Sequence, residues 1–244
     1  MIGDMAFEES KVHIVDQQMP AIRRCDVQMA AQAGTAPARP LKPDKSRQNA
    51  DNGRDQKIIL LGASTGGVDA LLQILRHFSP FCPPTLIVQH TGGQFAASLI
   101  RLLDRATQAT VCAAQDGAVP TMGHIYLSPS TEYHLRIATG TPLRIALCNS
   151  PARMGHRPAV DALFESALPF APNITAALLT GMGKDGARGL LALRQAGART
   201  LGQDEKTSII YGMPRVAKTL GAVERELPIS EIGPALLRTA MNRS

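Results

Sequence analysis

The sequence predicts an α/β protein with a doubly wound, mainly parallel sheet, helices on both faces and an added antiparallel hairpin region. Short apolar runs that end at glycine or a polar residue alternate with segments of helical spacing. The 244 residues suffice for one sizeable domain with some to spare, and 44% of them are hydrophobic, as a globular core requires. In the middle of the chain, three strand-like runs follow one another without a helix between them.

The alternation begins at Lys57. KIILLG (57–62) has the composition of a buried parallel strand, and VDALLQILRHF (68–78) after it has helical spacing. The same pair recurs as a strand TLIVQH (85–90) and a helix FAASLIRLLDRA (95–106). Two strand–helix units in succession predict a parallel sheet.

The middle runs HIYLSP (124–129), EYHLRIA (132–138) and PLRIALC (142–148) are separated by SPST and TGTP, which predicts antiparallel hairpins added to the sheet. The chain then returns to alternation. The predicted helices are PAVDALFESAL (158–168), ARGLLALRQAG (187–197) and SEIGPALLRTAM (230–241), and the predicted strands are ITAALLTG (174–181) and RTLGQ (199–203).

Residues 1–56 lack this pattern. After VHIVD, the stretch 30–56 is dominated by Ala, Pro, charged and amide residues with no apolar period. We therefore expect an N-terminal extension with a disordered linker over 1–56 and a folded domain over 57–244. The start has neither the basic residues nor the apolar stretch of a signal peptide, and no run of about 18 apolar residues occurs. A cytoplasmic protein without membrane insertion is expected.

The composition argues against several classes of ligand. The net charge is +6, but the basic residues are spread along the chain, and there are only six Phe, three Tyr and no Trp, so a nucleic-acid partner is not expected. The four cysteines are far apart, without a C-x-x-C pair or a histidine at zinc-ligand spacing. No metal and no cofactor are predicted.

The segment Gly62-Ala63-Ser64-Thr65-Gly66-Gly67 joins the first predicted strand to the first predicted helix. Small residues on both sides of Ser64 let the chain turn sharply and expose the hydroxyl, which is the pattern of a nucleophile elbow. The start of the following helix offers N–H donors and a positive dipole end for an oxyanion. A glycine-rich turn of this kind also holds the pyrophosphate of a dinucleotide. This segment alone leaves both interpretations open.

Residues at other strand ends favour the nucleophile. A dinucleotide site usually has an acidic residue about 20 positions beyond the glycines, yet no Asp or Glu occurs between Asp69 and Asp104. His90 instead follows the second strand, and Asp185 lies in GMGKDG after a later one. Because the carboxyl ends of parallel strands meet in one crevice, we expect Ser64, His90 and Asp185 to form a nucleophile, a base and an orienting acid.

Each of these residues also has an ordinary structural interpretation. Asp185 precedes the predicted helix ARGLLALR, where an Asp commonly caps the helix N-terminus, and a single histidine is more often structural than catalytic. The order Ser, His, Asp also differs from the order Ser, acid, His of α/β-hydrolases. No histidine follows His156, so an α/β-hydrolase would need an unusually early one.

Several longer motifs resemble the catalytic domain of the CheB-type protein-glutamate methylesterases of bacterial chemotaxis, in the order and spacing of that family. The resemblance covers about residues 57 to 240. Its landmarks are IILLGASTGGVDAL, LIVQH, the DG of QDGAVPTMGHIYLSP, GHRPAVDALF, LLTGMGKDGARGLLALRQAGA and QDEKTSIIYGMPRVA. The resemblance implies the same roles for Ser64, His90 and Asp185 as the strand ends do.

The resemblance also implies the reaction and the partner. The reaction is hydrolysis of γ-glutamyl methyl esters on the cytoplasmic helices of methylated chemoreceptors, with release of methanol, and deamidation of receptor glutamines. Thr65 and the backbone around Met182 and Gly183 are candidates for the oxyanion site. His156 and Arg157, in GHRP, are candidates for contact with the glutamate-rich receptor.

Two departures from the family pattern are visible. After His90 the chain reads TGGQFAASL, where the family commonly has Met-Pro and Phe-Thr, so the loop beside the base is expected to differ in shape. Family members often carry a receiver domain of about 120 residues, and residues 1–56 are too few to hold one. An NAD(P)-binding oxidoreductase and a non-catalytic receptor-binding module remain as alternative functions.

Overall fold

Seven parallel strands form the main sheet of the computed structural model, which describes residues 56–91, 95–140 and 142–241. Residues 1–55 of the predicted N-terminal extension lie outside this part of the chain, and only Gln56 lies within it. The strands are β1 (Ile58–Ala63), β2 (Thr85–Gln89), β3 (Thr110–Ala113), β4 (His124–Leu127), β5 (His134–Ala138), β6 (Arg144–Cys148), β7 (Ile174–Leu178), β8 (Arg199–Gln203) and β9 (Arg225–Leu227). The main sheet has the order β3-β4-β2-β1-β7-β8-β9, and β5 pairs with β6 in a separate antiparallel hairpin.

Helices cover both faces of the main sheet. The helices are α1 (Gly67–Leu75), α2 (Ala96–Ala106), α3 (Val160–Ser166), α4 (Ala187–Gln195), α5 (Met213–Thr219) and α6 (Ile229–Met241), with a 3₁₀ helix at Leu168–Asn173. Side chains of β1 alternate between two buried clusters: Leu60 packs in one with residues of α3 and α4, and Leu61 packs in the other with residues of α1 and α6. This alternation is why a strand with two buried faces has a continuous apolar sequence.

The doubly wound class, the helices on both faces and the antiparallel hairpin are confirmed, but one predicted strand belongs elsewhere. HIYLSP was expected in the hairpin region, whereas β4 lies in the main sheet, parallel to β2 and β3. The reason is burial on both faces: Ile125 and Leu127 enter one apolar cluster and Tyr126 the other. β3, α5 and β9 were not predicted from the sequence.

No helix in the described ranges is long and apolar enough to cross a membrane.

The direction of winding reverses at β1, which pairs with β2 on one side and with β7 on the other. The carboxyl ends of these three strands therefore lie side by side, where ligands bind in open α/β sheets. Backbone hydrogen bonds extend the pairing beyond the strand ends: Ser64 N–H donates to Thr180 O over 3.0 Å, and His90 N–H donates to Ala63 O over 3.0 Å. The fold thus brings the segments after β1, β2 and β7 to one edge.

Candidate active site

Ser64 lies in the turn between β1 and α1, and two glycines allow that turn. Gly66 has φ +81°, a left-handed conformation that side chains rarely adopt, and Gly67 N–H donates to Ser64 O over 2.8 Å. A Cβ on Gly67 would lie 2.0 Å from Gln89 Oε1. The helix therefore begins directly behind the serine, against β2, and Ser64 stays partly exposed.

His90 and Asp185 form a buried pair beside this turn. His90 Nε2 lies 2.8 Å from Asp185 Oδ2, and the two side chains are 9% and 1% exposed. A carboxylate only accepts hydrogen bonds, so Nε2 carries the proton in this contact. The other ring nitrogen, Nδ1, is buried and has no hydrogen-bond partner among the described residues. Nδ1 is therefore the nitrogen that can accept a proton.

Asp185 is fixed by the start of α3. Its Oδ2 accepts the N–H of Val160 over 2.7 Å, and its Oδ1 accepts the N–H of Asp161 over 3.0 Å. Burial by itself raises the pKa of Asp185, but the hydrogen bonds from His90 and these two N–H groups outweigh it, and the pKa lies below its usual value. The carboxylate stays ionised. The helix that follows Asp185 has Gly186 at its N-cap, without a side-chain cap.

Gly181 brings the loop after β7 against the serine. A Cβ on Gly181 would lie 2.7 Å from Ser64 Cβ and 3.2 Å from Ser64 N, so only glycine allows this approach. Met182 and Gly183 follow in the same loop, where Met182 is 70% exposed and Gly183 has φ +93°. Gly181, the residue directly before Met182, therefore lies against Ser64.

Gln89 also belongs to the site, although it was not among the residues predicted from the sequence. It is 7% exposed, and its Nε2 donates to Ser64 O over 2.8 Å and to His90 O over 3.1 Å. One buried side chain therefore joins the backbones of the serine and the histidine. The sequence feature that could have identified Gln89 is its position directly before His90, at the end of the second predicted strand.

The chain after β8 forms one wall of the site. Ile209 lies over the nucleophile turn, since a Cβ on Gly66 would be 2.6 Å from Ile209 Cβ. Thr180 Oγ1 donates to Thr65 O over 3.0 Å and accepts the N–H of Ile210 over 2.9 Å. This hydroxyl connects the turn after β1 with the loop at 204–212. Ile209 remains 59% exposed and adds an apolar edge.

His156 and Arg157 lie on the other side of His90. The rings of His156 and His90 are stacked, with centroids 3.9 Å apart and planes 6° from parallel. Arg157 donates to Thr131 O, Asn149 Oδ1 and Ser150 O over 2.8 to 3.2 Å. A cavity of about 370 Å³ beside them is lined by His90, Thr91, Thr131, His156 and Arg157, among others. Residues 92–94 of the divergent loop lie outside the described ranges.

A partly exposed serine next to a buried His–Asp pair, in the crevice of a doubly wound sheet, is the arrangement that serine hydrolases share. In the ranges that the structure covers, no cluster of His, Cys, Asp and Glu side chains suits a metal ion. Similarity to known proteins shows which family of serine hydrolases this site resembles.

The family model described as CheB methylesterase matches residues 59–236. The chain therefore belongs to the CheB methylesterase family, as the sequence motifs indicated. This membership favours the hydrolase over the NAD(P)-binding oxidoreductase.

Individual relatives agree with the family match. The protein-glutamate methylesterase/protein-glutamine glutaminase of Rhizobium etli is 46% identical over 208 residues, which are 85% of this chain and 59% of that protein. The protein of the same name in Gluconobacter oxydans is 48% identical over 191 residues, which are 77% of this chain and 54% of that protein. The chain thus spans little more than half the length of these relatives. The crystal structure of the Thermotoga maritima CheB methylesterase catalytic domain matches with a TM-score of 0.72 and 31% identity, over 75% of this chain and 98% of that one.

Proposed function

We propose that this protein is a cytoplasmic serine hydrolase that removes methyl groups from γ-glutamyl methyl esters of chemoreceptors and also deamidates receptor glutamines. The observation that carries the proposal is the His90–Asp185 pair beside Ser64, in which Nε2 is bound to the carboxylate and Nδ1 is buried without a partner among the described residues. The relatives are named for these two reactions. These relatives are longer than this chain, and we propose for this chain the activity for which they are named.

In the proposed mechanism, Ser64 is the nucleophile, His90 transfers the protons and Asp185 stabilises the charged imidazole. Ser64 Oγ attacks the ester carbonyl carbon while His90 Nδ1 takes the hydroxyl proton, and Asp185 holds the resulting imidazolium through Nε2–H. When the tetrahedral intermediate collapses, the C–OCH₃ bond breaks, and the leaving oxygen takes the proton from His90 as methanol. Water then attacks the acyl-enzyme with the help of the same base, which frees Ser64 and a glutamate. With a glutamine substrate, ammonia leaves instead.

The developing oxyanion needs donors that are already in place. The backbone N–H groups of Met182 and Gly183 are the proposed donors, since Gly181 holds their loop against Ser64. Thr65 and the first turn of α1 follow Ser64 directly in the chain, and the dipole of that helix also favours an anion. Among the described residues, no heavy atom other than those of Gly183 and its two chain neighbours lies within 4 Å of a Cβ position on Gly183, which leaves room for the substrate beside this loop.

The proposed substrate is a helical segment of a chemoreceptor. Met182 and Ile209 are both exposed and belong to the two loops that contact the turn of Ser64, which suits the apolar side of a protein segment. His156 and Arg157 are the proposed contacts with acidic residues of that segment. Arg157 already makes three hydrogen bonds to neighbouring loops, so its guanidinium is held in a fixed position.

The test compares the wild type with Ser64→Ala in two assays. A fluorophosphonate probe should label the wild type and not Ser64→Ala, and only the wild type should release methanol from membranes that contain methylated receptors. Ser98→Ala, in an exposed position on α2, is the matched control and should behave like the wild type. Labelling that survives Ser64→Ala would refute the serine mechanism. A wild type that binds receptor membranes but releases no methanol would favour the non-catalytic binding module.

A further inference from the structure

We infer that His156 is a positioning residue for the base His90: it holds the plane of the imidazole while Asp185 binds Nε2, which leaves Nδ1, without a partner among the described residues, for the proposed transfer of the Ser64 proton. The inference rests on the proposed function and goes beyond the contact with receptor assigned to His156 above.

The first observation is the stack itself. The two rings are 3.9 Å apart between centroids and within 6° of parallel, so one face of the His90 ring is covered by His156. The Asp185 carboxylate holds the same ring at Nε2. The carboxylate fixes one edge of the imidazole and the stack fixes its plane. Nδ1 itself receives no hydrogen bond from the described residues, so these two contacts set its direction.

The second observation is the hairpin that presents His156. Arg153 N–H donates to His156 O and His156 N–H donates to Arg153 O, both over 2.9 Å. The two residues between them, Met154 and Gly155, both have positive φ, at 48° and 82°. Positive φ at both central positions is the signature of a tight type I′ turn. A non-glycine residue rarely adopts this conformation, so the turn is maintained by its surroundings.

Contacts on both sides of the turn supply those surroundings. Arg153 makes two hydrogen bonds to the Glu165 carboxylate of α3, over 2.6 and 2.9 Å. On the other side, the N–H of Ala159 donates to Nδ1 of the fully buried His134, whose Nε2 lies 3.1 Å from Pro151 O. The hairpin is thus attached to the helix that also binds Asp185. His156 and Asp185 therefore approach His90 from one connected scaffold.

The stack is compatible with the charge that His90 gains. Burial lowers the pKa of His156, a charge on His90 lowers it further, and the nearby Asp185 only partly opposes them. His156 is therefore neutral when His90 takes the serine proton. A neutral aromatic face against a cation is attractive, whereas two cations in the same place would repel each other.

The experiment replaces His156 with Ala, Asn and Phe. Phe keeps an aromatic face, whereas Ala and Asn remove it, and Asn keeps a planar polar side chain. Because stacking and small misplacements of catalytic groups affect rates strongly, we expect Ala and Asn to slow fluorophosphonate labelling and lower kcat for methanol release about tenfold. KM should change less than kcat. Phe should recover most of both rates.

His77→Ala, an exposed histidine near the end of α1, is the control and should match the wild type. Urea unfolding shows whether each variant is folded, and only folded variants are compared. Labelling of His156→Ala or His156→Asn at the wild-type rate would overturn the inference alone, as would a Phe variant as slow as Ala. A wild type that is not labelled at all would overturn the proposed function and this inference together.

Discussion

Asp185→Asn changes one oxygen of the buried carboxylate to an amide nitrogen, with almost no change in shape. In the wild type, Oδ2 accepts hydrogen bonds from His90 and from Val160 N–H, and Oδ1 accepts one from Asp161 N–H. An amide has one accepting oxygen and a nitrogen that only donates. Whichever way the new side chain turns, at least one buried N–H of α3 faces another donor.

The magnitude follows from these contacts. One unsatisfied buried N–H costs about 1 to 3 kcal/mol of unfolding free energy. Activity falls further, because the imidazolium of His90 loses its charged partner; the corresponding substitution in the chymotrypsin-type triad lowers kcat roughly 10⁴-fold. We expect a loss of about 10² to 10⁴-fold in methanol release here.

The stability difference should also depend on pH. The pKa of Asp185 lies below its usual 3.8 in the folded protein, so its stabilising contribution is fully present above that value. It is lost as the pH falls through the lower pKa of the folded state. The Asn variant has no such group. The gap in unfolding free energy between wild type and variant should therefore be constant from neutral pH down to about pH 4 and shrink below it.

Urea unfolding at several pH values and methanol release from methylated receptor membranes measure both effects. Ser64→Ala is the matched control, since it should abolish turnover without lowering stability by more than about 0.5 kcal/mol. An Asn variant that is as stable and as active as the wild type would refute the role of the carboxylate. A stability gap that widens at low pH would refute the assignment of its ionised state.

Two further substitutions test the scaffold around the pair. Gln89→Leu removes both hydrogen bonds that join the backbones of the proposed nucleophile and base, so urea unfolding should show a loss of about 1 to 3 kcal/mol and labelling should slow; Gln89→Leu with wild-type stability would contradict this. Gly67→Ala places a Cβ 2.0 Å from Gln89 Oε1, and overpacking predicts a loss of about 1 to 3 kcal/mol. An unchanged urea midpoint for Gly67→Ala would contradict the close approach of α1 to β2.

Much of the fold could be predicted because the strands of the main sheet are buried on both faces. KIILLG and TLIVQH read as continuous apolar runs for that reason, and each is followed by a helical pattern. HIYLSP was assigned to the hairpin region because its length and neighbours resemble those of β5 and β6. Its partners β2 and β3 are set by packing against both apolar clusters, and that information is not in the local sequence.

The candidate site could likewise be predicted only in part. His90 and Asp185 could be proposed because each follows a predicted parallel strand, and such strand ends converge. Sequence spacing could not show that Asp185 binds the first turn of α3 and not the helix after it. The stack of His156 on His90 was equally hidden, because it depends on a turn that Arg153 attaches to α3 from a distance. Contacts made by loops with distant helices leave no periodic signal.

The most direct measurement of the central claim is mass-spectrometric mapping of the fluorophosphonate adduct on the wild-type protein. We expect one phosphonyl group, on the peptide that carries Ser64, and a much slower reaction for Asp185→Asn because the base is then poorly held. An adduct on a different residue, or none under conditions in which the folded protein releases methanol from methylated receptors, would contradict the claim that Ser64 is the nucleophile.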